Sequence, residues 1–258
     1  MKTIKVDLPQ EFDNIYLYPL SDVHIEDPAH NHKALLKWRE EVLEADDRFV
    51  LLNGDLVNMA TRGSVSDVYS ATMTPDEAMT KMVEFLEPIK HKILAVTSGN
   101  HDGRAYKESG IDATRRICRE LGIEDKYSTD AVVLFISFGK SKGREVRKQI
   151  YSIFMRHGTG AGGRKVGSRA NSLEDAMNIA DCELYIQGHT HQSITFRKSF
   201  LRADLRAKKM IPVEKVFLNL NAWLNYEGYG VAFGYHPPSI IHPVVKLNGF
   251  SKKIEVKL

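Results

Sequence analysis

The sequence predicts an α/β fold in which short buried strands alternate with amphipathic helices. Residues 49–52 and 93–96 are uninterrupted apolar runs of strand length. Helical patterns lie beside them in the chain, at about 33–45 and 74–87. Polar side chains follow the strands directly, at the position where open α/β sheets bind their ligands. The alternation therefore predicts the fold class, and the strand ends predict the place of the functional site.

Length and composition fit one globular domain over residues 1–258. Hydrophobic residues make up 43% of the chain and charged residues 27%, which allows a sizeable core. No apolar run approaches the roughly 20 residues of a membrane span, and the first residues lack the apolar core of a signal peptide. Cys118 and Cys182 belong to no Cys-x-x-Cys pair. We therefore expect a cytoplasmic protein with two reduced thiols and no membrane partner.

Local signals place the other elements in chain order. Thr74-Pro75-Asp76-Glu77 combines a threonine cap, a proline at the first helical position and a glutamate three residues after the cap. Helices are predicted at about 33–45, 74–87, 112–121 and 172–179. Strands are predicted at 3–8, 15–20, 49–52, 93–96, 131–138, 149–155 and 182–186. Loops are predicted at 61–73 and 158–167, and residues 193–258 are predicted to be mostly strand with a basic interruption at 197–209.

Charge is unevenly distributed, although the formal net charge is only +3. Residues 1–60 contain 12 acidic and 6 basic residues, whereas residues 139–170 contain nine basic residues and one acid, Glu145. Such an asymmetry indicates either an anionic partner or a solvated basic surface. Both interpretations stay open at this point.

Five predicted strands end in side chains that bind metals or transfer protons. Each ending has a structural alternative: Asn100-His101-Asp102, for example, could cap a helix. The coincidence of five such endings favours one shared site over five separate turns or caps. The endings are Asp22-x-His24, Gly54-Asp55, Gly99-Asn100-His101-Asp102, His157 and Gly188-His189-x-His191.

The chemistry of these side chains predicts two divalent metal ions. Imidazole nitrogens mixed with carboxylate and amide oxygens favour Mn²⁺, Fe²⁺ or Zn²⁺ over Ca²⁺ or a thiolate zinc site. Seven candidate ligands are too many for one tetrahedral ion. They suit two ions roughly 3.5–4 Å apart. We expect Mn²⁺ first, with iron or Zn²⁺ as alternatives.

In this order, the five motifs resemble the signature of calcineurin-like metallophosphoesterases. The resemblance spans Asp22 to His191. It implies a four-layer α/β/β/α sandwich with two mixed β-sheets. It also implies the metal ligands: Asp22, His24 and His191 for one ion, Asn100, His157 and His189 for the other, and Asp55 as the bridge.

The resemblance further implies that His101 is the catalytic histidine and that Asp102 orients it. Arg104 is a candidate phosphate ligand, with a solvent-exposed helix arginine as the alternative. The family often has a second acid or asparagine shortly after Gly-Asp, and Asn58 could take that place. The sequence differs from the protein Ser/Thr phosphatase motif at this point, because Gly54-Asp55 is followed by Leu56-Val57-Asn58-Met59.

These features predict a phosphoester hydrolase in which a water activated between the two metals attacks phosphorus and His101 protonates the leaving oxygen. The basic stretches 140–169 and 197–209 favour a phosphodiester substrate in nucleic acid or nucleotides. Four aromatic residues near them could stack on bases or belong to the core: Tyr151, Phe154, Phe196 and Phe200. The alternatives are a phosphomonoesterase on a phosphoprotein or metabolite, and a metal-binding scaffold without catalysis.

Overall fold

The computed structural model describes residues 1–60, 68–140, 147–158, 165–227, 231, 234, 237 and 241–258. In chain order the strands are β1 (Lys2–Asp7), β2 (Asn14–Leu20), β3 (Arg48–Asn53), β4 (Ile93–Thr97), β5 (Tyr127–Ser128), β6 (Ala131–Phe138), β7 (Gln149–Arg156), β8 (Leu184–Gln187), β9 (Ile194–Asp204), β10 (Lys209–Asn219), β11 (Val244–Asn248) and β12 (Ile254–Lys257). The α-helices are α1 (His32–Leu43), α2 (Pro75–Leu86), α3 (Asn100–Ser109), α4 (Ala113–Glu120) and α5 (Val166–Glu174).

The strands form two mixed sheets of six strands each. The first sheet has the order β1-β6-β7-β8-β10-β9, with antiparallel pairing at β6–β7 and β9–β10. The second has the order β12-β11-β2-β3-β4-β5, and β2 to β5 run parallel. Parallel strands end at the same edge of a sheet, so the polar residues after β2, β3 and β4 are brought side by side.

The layers follow from where the apolar side chains lie. Residues of both sheets share one buried cluster, which includes Leu17 and Leu51 of the second sheet and Leu134 and Ile153 of the first. Helices α1, α2 and α4 pack on the outer face of the second sheet, and α5 packs on the first through Leu173. The predicted α/β/β/α sandwich with two mixed sheets is therefore confirmed.

Helix α2 begins as its local signals predict. The Thr74 side chain accepts a hydrogen bond from the Glu77 backbone N–H, and the Glu77 carboxylate accepts one from the Thr74 N–H. Pro19 lies within β2, which the sequence marks as unusual. Pairing between β2 and β11 ends at Leu17, so that ladder loses no bond to the missing N–H.

Three elements differ from the predictions. Helix α3 begins at Asn100, where no separate helix is expected, and α5 begins at Val166 and is followed by a 3-10 helix over Asp175–Asn178. The basic stretch 197–209 does not interrupt the strands. Its first part lies in β9, which forms a long hairpin with β10. Of the predicted loops, residues 61–67 and 159–164 lie outside the described part of the chain.

The β9–β10 hairpin accommodates its cations by pairing them with acids. The ion pairs are Arg197–Glu214, Lys198–Glu174 and Arg202–Asp181. Two of these acids come from outside the hairpin, which is why the charges of 197–209 alone suggest a break. Among the described residues, no helix combines the length and apolar character needed to cross a membrane.

Candidate metal centre

The structure brings all seven predicted metal ligands and His101 to one edge of the sandwich. Asp22 and His24 follow β2, Asp55 follows β3, and Asn100 follows β4. From the other sheet, His157 follows β7, and His189 and His191 follow β8. Three overlapping groups of side chains have ligand atoms within 4.8 Å of one another: Asp22, His24 and His191; His24, Asp55 and His101; and Asp55, His157 and His189.

The first group contains buried polar atoms that no protein group satisfies. Asp22 and His24 are 0% and 3% exposed. His191 Nε2 lies 3.1 Å from Asp22 Oδ1, and His24 Nε2 lies 4.0 Å from the same oxygen. Within the described chain, both ring nitrogens of His24 have no hydrogen-bond partner, and Asp22 Oδ1 has only its ion-pair contacts with neighbouring histidines. Buried polar atoms are normally satisfied, so these atoms mark a place for a ligand.

The second group surrounds the side-chain oxygen of Asn100. Asn100 Oδ1 lies 3.1 Å from His157 Nε2 and 2.6 Å from His189 Nδ1. His157 Nε2 is also 3.0 Å from Asp55 Oδ2. The other ring nitrogen of His157, Nδ1, lies 2.6 Å from the Asn53 carbonyl and donates to it. This contact fixes the ring with Nε2 turned toward the group, as in metal-binding histidines.

Asp55 lies between the two groups. Its Oδ2 is 3.0 Å from His157 Nε2 and 3.7 Å from His101 Nε2. Its Oδ1 accepts a hydrogen bond of 3.0 Å from the His101 backbone N–H. A carboxylate oxygen of Asp55 also lies within 4.8 Å of a ring nitrogen of His24, a member of the first group, so the carboxylate lies within reach of both groups.

The backbone around these ligands is strained. Five of them have left-handed φ angles: Asp22 (53°), His24 (45°), Asp55 (49°), His189 (71°) and His191 (56°). Each such non-glycine conformation costs about 1–3 kcal/mol, and its retention marks a functional site. Two glycines allow the loops to meet. A Cβ at Gly99 would lie 1.9 Å from Asp55 Oδ1, and one at Gly188 would lie 2.1 Å from Ser21 Oγ.

The pKa values describe carboxylates that stay ionised inside the protein. Burial acts to raise the pKa of Asp22 and of Asp55, but neighbouring histidines hold both below the usual value. Burial acts to lower the pKa of His157, yet the two carboxylates raise it to about 10. Burial and the His101 ring lower the pKa of His24 well below its usual value. Two buried anions among imidazoles suit bound cations.

The residues present therefore fit divalent metal ions. The donor set consists of two carboxylates, one amide oxygen and four imidazoles, which borderline ions such as Mn²⁺, Fe²⁺ and Zn²⁺ accept. The unsatisfied atoms of Asp22 and His24 give an independent reason. Within the described residues, His101 is the only further histidine in the three groups.

His101 is held through its backbone neighbours. Its Nδ1 lies 2.8 Å from the Asn58 carbonyl and donates to it, which leaves Nε2 on the side of Asp55. Burial lowers the pKa of His101, and the Arg104 guanidinium lowers it further, against the opposing effect of Asp55. The sequence motif suggests a role for the side chain of Asn58, whereas the contact with His101 is made by the Asn58 backbone carbonyl.

Asp102 makes different contacts from the predicted ones. Its carboxylate accepts hydrogen bonds from the Gly99 N–H at 2.9 Å, the Thr114 N–H at 3.1 Å and the Thr114 hydroxyl at 3.0 Å. The contact that orients the His101 ring is the Asn58 carbonyl, so the orienting role predicted for Asp102 is corrected. Burial and the nearby Asp55 raise the pKa of Asp102 to about 7.

Arg104 lies on α3 three residues after His101. Its guanidinium acts on the pKa of His101, which places its charge beside the candidate site. Its Nη1 is buried and has no hydrogen-bond partner in the described part of the chain. A buried N–H without an acceptor is available to an anion.

Two of the four aromatic residues considered for base stacking belong to the core. Tyr151 and Phe154 are 0% and 1% exposed, so neither can stack on a base. Phe196 stacks on Phe217 with ring centroids 4.6 Å apart. Of the two interpretations left open by the sequence, the core interpretation therefore holds for these two rings.

Three residues that support the ligands are absent from the sequence predictions. Ser21 Oγ donates to Asp22 Oδ2 at 2.5 Å and to the Asn53 carbonyl at 2.9 Å. Asn219 Nδ2 donates to Thr190 Oγ1 and the Gln192 carbonyl, which holds the loop of His189 and His191. Ser21 and Asn53 could have been found beside the motifs, but nothing local identifies Asn219 at the end of β10.

Fold and site together define a class: an α/β/β/α sandwich with a buried histidine and carboxylate cluster at its strand ends. The chain belongs to the calcineurin-like phosphoesterase family, whose profile matches residues 18–193. A search of curated protein sequences finds no match. The family match confirms the predicted resemblance.

Solved structures with a similar chain path share little sequence with this protein. One is a predicted phosphoesterase from Streptococcus pneumoniae, at 13% identity and a TM-score of 0.36, covering 95% of this chain and 90% of that chain. Another is vacuolar protein sorting 29 from Cryptosporidium parvum, at 16% identity and a TM-score of 0.40, covering 95% and 97%. A third is the zinc complex of that protein from Entamoeba histolytica, at 11% identity and a TM-score of 0.37, covering 94% and 97%.

Proposed function

We propose that this protein is a metal-dependent hydrolase of phosphoesters. The observation that carries the proposal is the convergence of seven metal-type ligands, with unsatisfied buried atoms at Asp22 and His24, beside His101. Membership of the calcineurin-like phosphoesterase family supports the reaction type. All candidate ligands and the candidate acid are present, which favours an active enzyme over a metal-binding scaffold.

The proposed metal ligands fall into two sets around one carboxylate. Asp55 would be the shared ligand, because its carboxylate lies within 4.8 Å of ligand atoms of His24 in one set and of His157 and His189 in the other. Divalent ions held there act as Lewis acids on phosphoryl oxygens and lower the pKa of water. We propose Mn²⁺ as the native ion, with iron and Zn²⁺ as alternatives. The ligand sets are Asp22, His24 and His191, and Asn100, His157 and His189.

His101 is the proposed general acid. Its Nδ1 donates to the Asn58 carbonyl, so the doubly protonated ring presents Nε2–H as the proton donor to the leaving oxygen. Proton transfer of this kind contributes about 10²–10⁴-fold to a rate. Arg104, whose buried Nη1 has no hydrogen-bond partner among the described residues, is the proposed ligand of a non-bridging phosphoryl oxygen.

The proposed substrate is a phosphodiester in nucleic acid or a nucleotide. The basic composition of residues 140–169 and 197–209 supports a polyanionic substrate. Four cations in the strands of the β9–β10 hairpin are paired with acids. Arg206 and Lys208 lie exposed at the turn of this hairpin, at the opposite end of β10 from the metal ligands, so they would reach only a substrate long enough to extend along the hairpin.

The test compares substrates under metal supplementation. Purified protein with added Mn²⁺ is assayed on a model phosphomonoester, a model phosphodiester, cyclic nucleotides, and single- and double-stranded DNA. We expect diester hydrolysis, its loss in Asp55→Ala, and a large loss in His101→Ala with metal content unchanged. Binding of nucleic acid should weaken steeply with salt. Hydrolysis of the monoester alone would assign the protein to phosphomonoesterases, and a metal-loaded protein inert on every substrate would overturn the proposal.

A further inference from the structure

Glu26 is a buried carboxylate that none of the five motifs includes. It lies two residues after His24 and is 2% exposed. Its Oε1 accepts two hydrogen bonds of 2.7 Å, from the backbone N–H groups of Asn58 and Met59. Its backbone carbonyl accepts from the Thr72 N–H at 2.9 Å and from the Thr72 hydroxyl at 3.0 Å. One oxygen of Glu26 thus holds two consecutive peptide groups.

These peptide groups belong to the segment that contacts His101. Asn58 donates its N–H to Glu26, and its carbonyl accepts from His101 Nδ1 at 2.8 Å. The next residue, Met59, has a left-handed φ of 48°. A non-glycine residue holds such a conformation only where its surroundings fix it. The two hydrogen bonds to Glu26 supply that constraint on the peptide after Asn58.

We propose that Glu26 is a positioning residue for His101, acting through the backbone of Asn58 and Met59. The proposal rests on the role of His101 as general acid in the proposed function. The hydrogen bonds from Glu26 fix the backbone conformation at Asn58 and Met59. This conformation sets the direction of the Asn58 carbonyl, which in turn accepts a hydrogen bond from His101 Nδ1. The ring then presents Nε2 to the substrate. Glu26 would thus support the orienting role that the sequence assigns to Asp102.

The role of residue 26 requires a hydrogen-bond acceptor on a side chain long enough to reach the N–H groups of Asn58 and Met59. Glu26→Gln keeps an oxygen at the same distance from the backbone, so it can still accept both N–H bonds. Glu26→Ala leaves the two buried N–H groups without that acceptor. Thr72→Val is the matched control, because it removes a contact to the Glu26 backbone and leaves the carboxylate contacts in place.

Steady-state kinetics give the first test. We expect Glu26→Ala to lower kcat about tenfold or more, within the range that general-acid catalysis contributes, while KM and metal content stay close to wild type. Glu26→Gln should recover most of the lost kcat, and Thr72→Val should behave as wild type. A wild-type kcat in Glu26→Ala, or a loss of bound metal that accounts for its lower rate, would overturn the proposal.

A double-mutant comparison separates positioning from general disruption. In a His101→Ala background the positioned group is gone, so Glu26→Ala should lower the residual rate by less than about twofold. A full additional tenfold loss in that background would show that Glu26 acts on something other than His101.

A spectroscopic readout keeps the proposal testable without activity. In metal-free protein at a pH above the pKa of His101, where the ring is neutral, the ¹⁵N shifts of the His101 ring report which nitrogen carries the single proton. We expect an Nδ1–H ring in wild type and Glu26→Gln, and a mixture in Glu26→Ala. An unchanged His101 spectrum in folded Glu26→Ala would overturn the positioning role. Absence of hydrolysis in wild type, with the expected spectral change, would overturn the proposed function instead.

Discussion

Individual residues at the candidate metal centre combine strained backbones with very close loop contacts. The left-handed conformations of Asp22, His24 and Asp55 turn three consecutive strand ends toward one point. Gly99 makes the approach possible, because Asp55 Oδ1 occupies the place where its Cβ would be. At this scale, a single added methyl group is enough to test whether the site requires the observed geometry.

We predict that Gly99→Ala abolishes metal binding without unfolding the protein. A Cβ at this position would lie 1.9 Å from Asp55 Oδ1 and 2.4 Å from the Asp55 backbone nitrogen, so the carboxylate must move. Metal content after dialysis against Mn²⁺ measures the effect. Gly103→Ala is the matched control: nothing lies within 4 Å of its added Cβ, and it should stabilise α3 by up to about 1 kcal/mol. Normal metal content in Gly99→Ala would contradict this reading of the contact.

At the scale of elements, α3 connects the candidate site to the outer helices. Its first residue is the proposed ligand Asn100, and its third, Asp102, is bonded to Thr114 at the start of α4. Asp102 therefore closes the N-terminus of one helix and joins it to the next. The hydrogen bonds to Thr114 explain why the buried carboxylate of Asp102 faces α4 rather than the His101 ring.

We predict that Asp102 and Thr114 are energetically coupled. Asp102→Ala removes three hydrogen bonds and should lower the free energy of unfolding by about 2–4 kcal/mol. Thr114→Val removes the hydroxyl contact alone and should cost about 0.5–1.5 kcal/mol. Because both changes remove one shared bond, the double variant should lose less than the sum. Urea unfolding of the four proteins measures the coupling, and strictly additive losses would argue against it.

Elements that are determined by their own residues could be predicted from the sequence. Elements that depend on contacts with residues far away in the chain could not. The capping box of Thr74 and Glu77 fixes the start of α2 by itself. Helix α3 has no apolar stripe, and its buried residues are only Asp102 and Ala105, so the possible cap at Asn100-His101-Asp102 is the one signal for it in the sequence. The strand character of β9 depends on acids elsewhere in the chain, such as Asp181.

The same distinction applies to the site. Its ligands could be named because each directly follows an apolar run. The contacts that hold His101 could not, since they pass through the backbone of Asn58 and the side chain of Glu26. Because every residue has a backbone carbonyl, the sequence does not indicate which one accepts a hydrogen bond from His101. The fold class and the family were thus accessible, whereas the support of the ligands required coordinates.

On the scale of the whole molecule, two half-buried histidines link stability to pH. His30 contacts the Val23 carbonyl through Nδ1 at 3.0 Å, and His242 stacks on Trp223 with a ring-centroid distance of 3.4 Å. Burial lowers the pKa of each to about 4. In the unfolded chain both return to about 6.5.

We predict that the contribution of His30 and His242 to stability falls as pH decreases from about 6.5 toward 4. Over this range the unfolded state binds protons that the folded state excludes, so protonation favours unfolding. Each histidine should contribute on the order of 1–3 kcal/mol. Urea unfolding at pH 7.5 and pH 4.5 measures the effect, and His242→Phe, which keeps an aromatic ring against Trp223, should reduce the slope. An identical slope in this variant would contradict the assignment to His242.

We also predict that divalent metal raises the thermal stability of the whole molecule. An ion that binds only the folded state adds about 2.7 kcal/mol at a concentration of 100 Kd. The melting temperature should therefore rise with Mn²⁺ and fall after treatment with a chelator, and the shift should be much smaller in Asp55→Ala. Equal shifts in wild type and Asp55→Ala would mean that the ions bind elsewhere.

The two sheets contribute unequal and incomplete shares of the centre. Asp22, His24, Asp55 and Asn100 extend from one sheet, whereas His157, His189 and His191 extend from the other. Neither proposed ligand set can be completed by one sheet, because each combines residues of both. A partly folded chain with only one sheet formed would therefore bind metal weakly. Tight metal binding would require the two sheets to be packed together, so metal content would serve as a measure of correct folding.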